Sequence, residues 1–94
     1  MEQQRQHGPQ DPADAGRPVR ITLIGKPGCH LCDDARAVIA RVAQDLQVGW
    51  EELSIADDPA LGAAYWEQIP VTLVDGAQHD YWRVDEARLR AALA

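Results

Sequence analysis

Apolar residues have no regular spacing in the first part of this chain. Residues 1–18 are mostly polar and rich in Gln, Asp, Pro and Gly, which predicts a disordered tail. The segment Val19–Ile24 is β-branched and apolar, and this composition predicts a buried strand. Loop-forming residues in Gly25–Gly28 end that strand. We therefore expect the folded domain to cover residues 19–94.

The spacing of apolar residues then changes to the period of an α-helix. One face carries apolar side chains and the other face polar ones: Leu31, Ala35, Val38, Ile39, Val42 and Leu46 against Asp33, Arg36, Arg41 and Gln44. Asp33 and Asp34 fall in the first turn, where the helix dipole favours negative charge. Gly49 marks the expected end of this amphipathic helix.

The second half of the chain predicts a strand, a short helix, a hairpin and a last helix. The strand is expected at Trp50–Ile55. The short helix is capped by Asp58, carries Leu61, Ala64 and Tyr65, and ends before Pro70. The hairpin consists of strands Val71–Val74 and Ala77–Arg83, and the last helix is capped by Asp85 and carries Leu89 and Leu93. Asp75-Gly76 is typical of a tight hairpin turn, because both central positions of that turn favour positive φ.

The predicted order of elements is β-α-β-α-β-β-α. A strand-helix-strand start requires a right-handed crossover to a parallel neighbour, whereas the closing hairpin adds antiparallel strands. The sequence therefore predicts an α/β fold with a mixed four-stranded sheet and helices on both faces.

Length and charge narrow the range of partners. A chain of 94 residues is expected to form one small domain, which we expect to be a monomer. Its formal net charge of -6 makes a nucleic-acid backbone or an anionic membrane an unsuitable partner. The chain contains neither an apolar run long enough to span a bilayer nor a secretory signal. We therefore expect a cytoplasmic protein. In that reducing environment, a pair of cysteines more often serves catalysis or metal binding than forms a permanent disulfide.

The two cysteines lie in the segment Cys29-His30-Leu31-Cys32, between the first strand and the first helix. A thiolate is the nucleophile in disulfide exchange, and free N–H groups at a helix N-terminus stabilise an anion. A spacing of two residues allows the second thiol to resolve a mixed disulfide. We expect Cys29 to attack and Cys32 to be the buried resolving thiol, with Lys26 adding positive charge nearby. Inert packing of two small apolar side chains is the alternative interpretation.

This segment, Lys26 and Ile69-Pro70 together resemble glutaredoxins. The resemblance runs from Val19 to Leu93 and implies the thioredoxin fold and a thiol-disulfide oxidoreductase. It further implies that Pro70 follows a cis peptide bond and faces the dithiol, that the backbone of Ile69 pairs with the substrate, and that Lys26 meets a carboxylate of glutathione.

Two features depart from the glutaredoxin pattern. His30-Leu31 replaces the usual Pro-Tyr between the cysteines, and both residues are candidates for substrate contact. The Gly-Gly that holds glutathione after the fourth strand is absent, and the segment Asp80–Asp85 stands there. Glutathione is therefore expected to bind weakly, and a thioredoxin-reductase-type protein is a second candidate electron donor. No bound cofactor is expected.

Other side chains allow two interpretations each. The aromatic residues Trp66, Tyr81 and Trp82 line a substrate groove or belong to the core, and His79 is expected to face solvent.

Two other classes of protein also remain open. A CxxC metal carrier has a different order of elements, and zinc would require more ligands than the sequence offers. A binding module that kept the fold without catalysis is compatible with the sequence.

Overall fold

The computed structural model describes residues 18–94, which form four strands and three helices. The elements in chain order are β1 (Val19–Gly25), α1 (His30–Leu46), β2 (Gly49–Ser54), α2 (Pro59–Tyr65), β3 (Val71–Val74), β4 (Ala77–Tyr81) and α3 (Glu86–Leu93). This order confirms the predicted β-α-β-α-β-β-α topology. The predicted tail, apart from its last residue, lies outside the described residues.

The strands form one mixed sheet in the order β2-β1-β3-β4. Strand β1 is parallel to β2 and antiparallel to β3, and β3 is antiparallel to β4. The first strand is therefore central, with a neighbour on each side. A short loop joins β1 to α1, so the Cys29–Cys32 segment lies at the C-terminal end of this central strand.

The core lies between the sheet and the helices α1 and α3. Its members are fully or almost fully buried apolar side chains: Ile21, Leu23, Ala35, Ile39, Val42, Ala43, Trp50, Leu89 and Leu93. Leu46, four residues after the buried Val42 on the predicted apolar face, is 39% exposed because it is the last residue of α1. The helix ends where Gln47 adopts a left-handed conformation (φ 58°), not at Gly49, which begins β2.

The turn and cap predictions are confirmed by local geometry. Asp75 and Gly76 have φ of 52° and 85°, as the tight hairpin turn requires. The carboxylate of Asp58 accepts a hydrogen bond from the Ala60 N–H at 2.9 Å at the start of α2. The corresponding bond at α3 joins Asp85 to the N–H of Arg88 at 3.0 Å. These short-range bonds fix where both helices begin.

Strand β4 is shorter than predicted. It ends at Tyr81 and not at Arg83, because Trp82 has a left-handed backbone (φ 65°) that ends the extended conformation. The ladder between β3 and β4 also shifts register between Thr72 and Leu73. The segment after β4 lies close to the start of α1, because Trp82 and Leu31 line the same cavity.

Candidate active site

The two cysteines occupy the turn from β1 into α1. Cys29 is the N-cap of the helix, and its Sγ accepts a hydrogen bond from the backbone N–H of Cys32 at 3.2 Å. The carbonyl of Cys29 accepts the N–H of Asp33 at 3.2 Å. Both cysteines are free thiols. The first sulfur atom thus lies at the N-terminus of the helix, where the backbone N–H groups of the first turn have no partner within the helix.

The two thiols differ in burial. Cys29 is half-buried, whereas Cys32 is 1% exposed and points towards the sheet. Its Sγ lies against Gly25: a Cβ atom built on this glycine would be 3.0 Å from the sulfur. A side chain at Gly25 would therefore displace the Cys32 thiol, which explains a glycine at the end of the central strand.

Burial also sets the protonation state of Cys32. Loss of solvation and, to a smaller extent, the hydrogen bond with Cys29 raise the pKa of this thiol to about 11. The backbone of Lys26 and the charge of Arg36 act in the opposite direction but are weaker. Cys32 is therefore a thiol at neutral pH, and Cys29 is the sulfur atom that a disulfide in solution can reach.

The other predicted site residues lie in three places. Lys26 and His30 are exposed on the loop and at the first position of α1. Leu31 is half-buried. Ile69 and Pro70 are buried just before β3, and the peptide bond between them is cis.

A cavity of about 210 Å³ lies beside the dithiol turn. Its lining comes from the first turns of α1 and the segment after β4: Leu31, Asp34, Ala35, Val38, Trp82, Arg83 and Val84. We call it the Trp82 cavity. The Trp82 backbone donates to the carbonyl of Pro70 at 2.7 Å, and its indole donates to the carbonyl of Glu67 at 3.1 Å. Trp82 thereby connects the segment that carries Pro70 with Leu31 of the cysteine motif.

The three aromatic residues that were candidates for the core lie at the surface. Trp66, Tyr81 and Trp82 are all exposed, so the interpretation that they are core residues was wrong. Trp82 lines the cavity and forms an edge-to-face contact with Tyr81, with ring centroids 5.0 Å apart. The prediction for His79 was also wrong: it is half-buried, and its Nε2 has no hydrogen-bond partner among residues 18–94.

Sequence reasoning missed an ion-pair network beside Cys32. Arg36 was expected only on the polar face of the helix. Its guanidinium donates to both carboxylate oxygens of Glu52 at 2.7 and 2.6 Å and to Asp33 at 2.7 Å. The separation of four residues between Cys32 and Arg36 was a usable signal, because such side chains are neighbours on a helix. The contribution of Glu52 depends on strand pairing and had no local signal.

Residues 18–94 contain no group of three or more His, Cys, Asp or Glu side chains placed to hold a metal ion. None of the helices in this range is long and apolar enough to cross a membrane.

Comparison with known proteins agrees with this geometry. Residues 20–94 match the family described as Glutaredoxin-like domain (DUF836). An uncharacterized protein of Mycobacterium tuberculosis is 34% identical over 82 residues, which cover 80% of this chain and 82% of that protein.

Two solved structures extend the comparison. The target protein XcR50 from X. campestris is 34% identical, with a TM-score of 0.64 over 78% of this chain and 93% of that chain. A thioredoxin variant from Halobacterium salinarum has a TM-score of 0.57 at 20% identity, over 78% of this chain and 69% of that chain. The second similarity concerns the fold alone. The chain has the thioredoxin fold and belongs to the family of glutaredoxin-like domains.

Proposed function

We propose that this protein is a thiol-disulfide oxidoreductase in which Cys29 attacks and Cys32 resolves. The observation that carries the proposal is the hydrogen bond from the Cys32 N–H to the Cys29 Sγ at the start of α1. This bond places the partly accessible Cys29 sulfur at the helix N-terminus, and the buried Cys32 sulfur lies within a single turn of it. Nucleophilic cysteines require this combination of access and positive environment.

The reaction consists of two exchanges. The Cys29 thiolate attacks one sulfur of a disulfide, so that a mixed disulfide forms and the other sulfur leaves as a thiolate. Cys32 then loses its proton to solvent and attacks the Cys29 sulfur, which releases the second substrate thiolate and forms the Cys29–Cys32 disulfide. The substrate disulfide gains two electrons, and the dithiol loses them.

The charges around the dithiol support an acidic substrate group. The arginines Arg20, Arg36, Arg41, Arg88 and Arg90 form ion pairs. Lys26 and Arg83 have no such partner among residues 18–94, and they lie on the loop before Cys29 and at the Trp82 cavity. Two cations near a nucleophilic thiol suit a substrate that carries carboxylates.

Two substrate classes fit this description: a disulfide-containing protein and glutathione. The backbone at Ile69, with Pro70 after it, would pair with an extended substrate, and His30 and Leu31 would contact its flanks. We favour a protein substrate, because the bulky Trp82 and Arg83 follow β4 where glutaredoxins have glycines. Electrons would come from glutathione or a thioredoxin-reductase-type protein in the cytoplasm, where thiols are kept reduced.

Oxidation followed by mass spectrometry tests the proposal. Mild oxidation should yield an intramolecular Cys29–Cys32 disulfide, and alkylation of the reduced protein at neutral pH should label Cys29 much faster than Cys32. The Cys32→Ser variant should accumulate a mixed disulfide through Cys29, whereas Cys29→Ser, as the matched control, should not. Two free thiols after oxidation, or equal alkylation rates, would contradict the assignment and favour a binding module without catalysis.

The choice between substrates requires a separate measurement. Titration with reduced and oxidised glutathione, followed by amide NMR shifts, should show no saturable binding below the millimolar range. Saturable shifts around Lys26, Cys29, Ile69 and Asp85 at sub-millimolar concentration would show instead that glutathione is recognised without the glycines.

A further inference from the structure

Arg36 and Glu52 form a charged pair next to the resolving cysteine. Arg36 lies one helical turn after Cys32 on α1, so their side chains are neighbours on the same face. Glu52 lies on β2, opposite Leu23 of the central strand. The two bonds at 2.7 and 2.6 Å form a planar, bidentate contact, which fixes the orientation of the guanidinium.

The position of Gly25 shows that this pair lies close to the sulfur of Cys32. The Cβ position built on Gly25 is 3.0 Å from the Cys32 Sγ and 3.9 Å from Oε2 of Glu52. The distance from the Cys32 Sγ to Oε2 of Glu52 therefore cannot exceed the sum of these two distances. The Cys32 side chain is nearly inaccessible to water, so solvent screens these charges less than it would at the surface.

We propose that Arg36, held in place by Glu52, is a positioning residue that stabilises the Cys32 thiolate while Cys32 attacks the mixed disulfide. This inference rests on the proposed oxidoreductase function and adds a residue to its second step. A thiol at Cys32 cannot attack, and its burial opposes the thiolate. A fixed cation one helical turn away on the same face reduces this cost.

The groups that face Cys32 come from three elements. The loop before α1 contributes the backbone of Lys26 and the Cys29 sulfur, α1 contributes Arg36, and β2 contributes Glu52. Asp33 is exposed and bound to Arg36. Burial and Cys29 raise the pKa of Cys32, whereas Lys26 and Arg36 lower it.

The influence of Cys29 changes once the mixed disulfide has formed. The Cys29 sulfur is then uncharged, so its repulsion of a second thiolate disappears. Among residues 18–94, Arg36 is the side chain that still favours the anion. In this step the Cys32 proton leaves for solvent, the Cys32–Cys29 bond forms, and the bond from Cys29 to the substrate sulfur breaks. The electron pair of that broken bond leaves with the substrate thiolate.

An aromatic disulfide separates the two steps experimentally. Dithiobis(nitrobenzoate) releases one coloured thiolate when Cys29 attacks it and a second one when Cys32 resolves the mixed disulfide. Arg36→Gln should leave the first release unchanged and slow the second about threefold for each unit by which the pKa of Cys32 rises, because the lower thiolate fraction outweighs the gain in nucleophilicity. Glu52→Gln removes the negative charge but keeps an amide oxygen that can accept a hydrogen bond from the Arg36 guanidinium, so it should accelerate the second release.

The matched control is Arg41→Gln. Arg41 is on the same helix and pairs with Glu86 at 2.7 Å, away from the thiols. Its loss should leave both releases unchanged. Arg36→Lys keeps the positive charge and should restore most of the second rate, which keeps the test valid if Arg36→Gln does not fold.

A direct titration provides the second readout. In a Cys29→Ser background, the ultraviolet absorbance of the thiolate reports the pKa of Cys32 once the same titration of Cys29→Ser/Cys32→Ser is subtracted, because the subtraction removes the ionisation of the two tyrosines. This pKa should rise with Arg36→Gln and fall with Glu52→Gln, whereas a purely structural role would disturb both variants in the same direction. Equal pKa values and equal second-release rates in these variants would overturn the inference. A wild-type protein that releases no second thiolate would instead refute the proposed function.

Discussion

Replacing Gly25 by alanine should destabilise the protein through a contact with the resolving cysteine. The new Cβ would lie 3.0 Å from the Cys32 Sγ and 3.6 Å from the Cys32 Cβ. The second distance is an ordinary contact, whereas the first requires the sulfur to move. Both Gly25 and Cys32 are buried, so the displaced sulfur has little free space around it.

The expected cost follows from overpacking in a dense core. Inserting one methyl group into such a site costs about 1–3 kcal/mol of unfolding free energy. For a domain of this size, each 1 kcal/mol lowers the melting temperature by roughly 4–8 °C. In a Cys32→Ala background the sulfur is absent, so most of the cost should disappear. The two substitutions should therefore couple by about 1 kcal/mol or more.

Urea denaturation under reducing conditions measures these free energies. Gly62→Ala is the matched control, because Gly62 lies in α2 and its Cβ would meet Ile55 at the ordinary distance of 3.7 Å. Alanine should stabilise that helix by about 0.5–1 kcal/mol. If Gly25→Ala is as stable as the wild type, or equally destabilising with and without the Cys32 sulfur, the steric argument is wrong.

Three further predictions concern single sites. Hydrogen bonds from Arg41 and Arg90 lower the pKa of Glu86 from 4.5 to about 2. The free energy of unfolding lost in Glu86→Gln should therefore be constant above the ordinary pKa of 4.5 and vanish as the pH falls to about 2, and urea denaturation at a series of pH values measures it. Trp82→Gly should be more stable than Trp82→Ala by about 1 kcal/mol, because glycine adopts the left-handed backbone without strain; equal denaturation midpoints would contradict this. Asp85→Ala should lose about 1 kcal/mol with the helix cap, and Asp85→Asn should keep most of it, in the same assay.

Elements governed by neighbouring residues could be predicted from the sequence. The helix after the cysteine motif follows from a regular apolar face, and the hairpin follows from Asp75-Gly76. Asp58 and Asp85 marked the starts of two helices because a cap bonds to an N–H only two or three residues away. The placement of Cys29 as N-cap follows for the same reason.

Features that depend on distant residues could not be predicted. No local signal shows that Trp82, which lines the cavity, bonds to the carbonyl of Pro70. The partial burial of His79 likewise has no local signal, because His79 lies at the register shift of the β3–β4 ladder, between the paired residues Gln78 and Asp80. The partner of Arg36 becomes evident only when parallel pairing with β1 places Glu52 beside the resolving cysteine.

The difference between the two thiols arises from their positions at the start of one helix. Cys32 begins the buried stripe that continues through Ala35 and Ile39, so packing the helix on the sheet also buries its sulfur. Cys29 precedes the first turn, where its sulfur meets the free N–H groups and keeps contact with solvent. A shift of the motif by one residue would take the second cysteine off that stripe, because successive residues on a helix are about 100° apart. The order of attack and resolution that we propose is therefore a consequence of helix packing, and Gly25 allows it by leaving room for the buried sulfur.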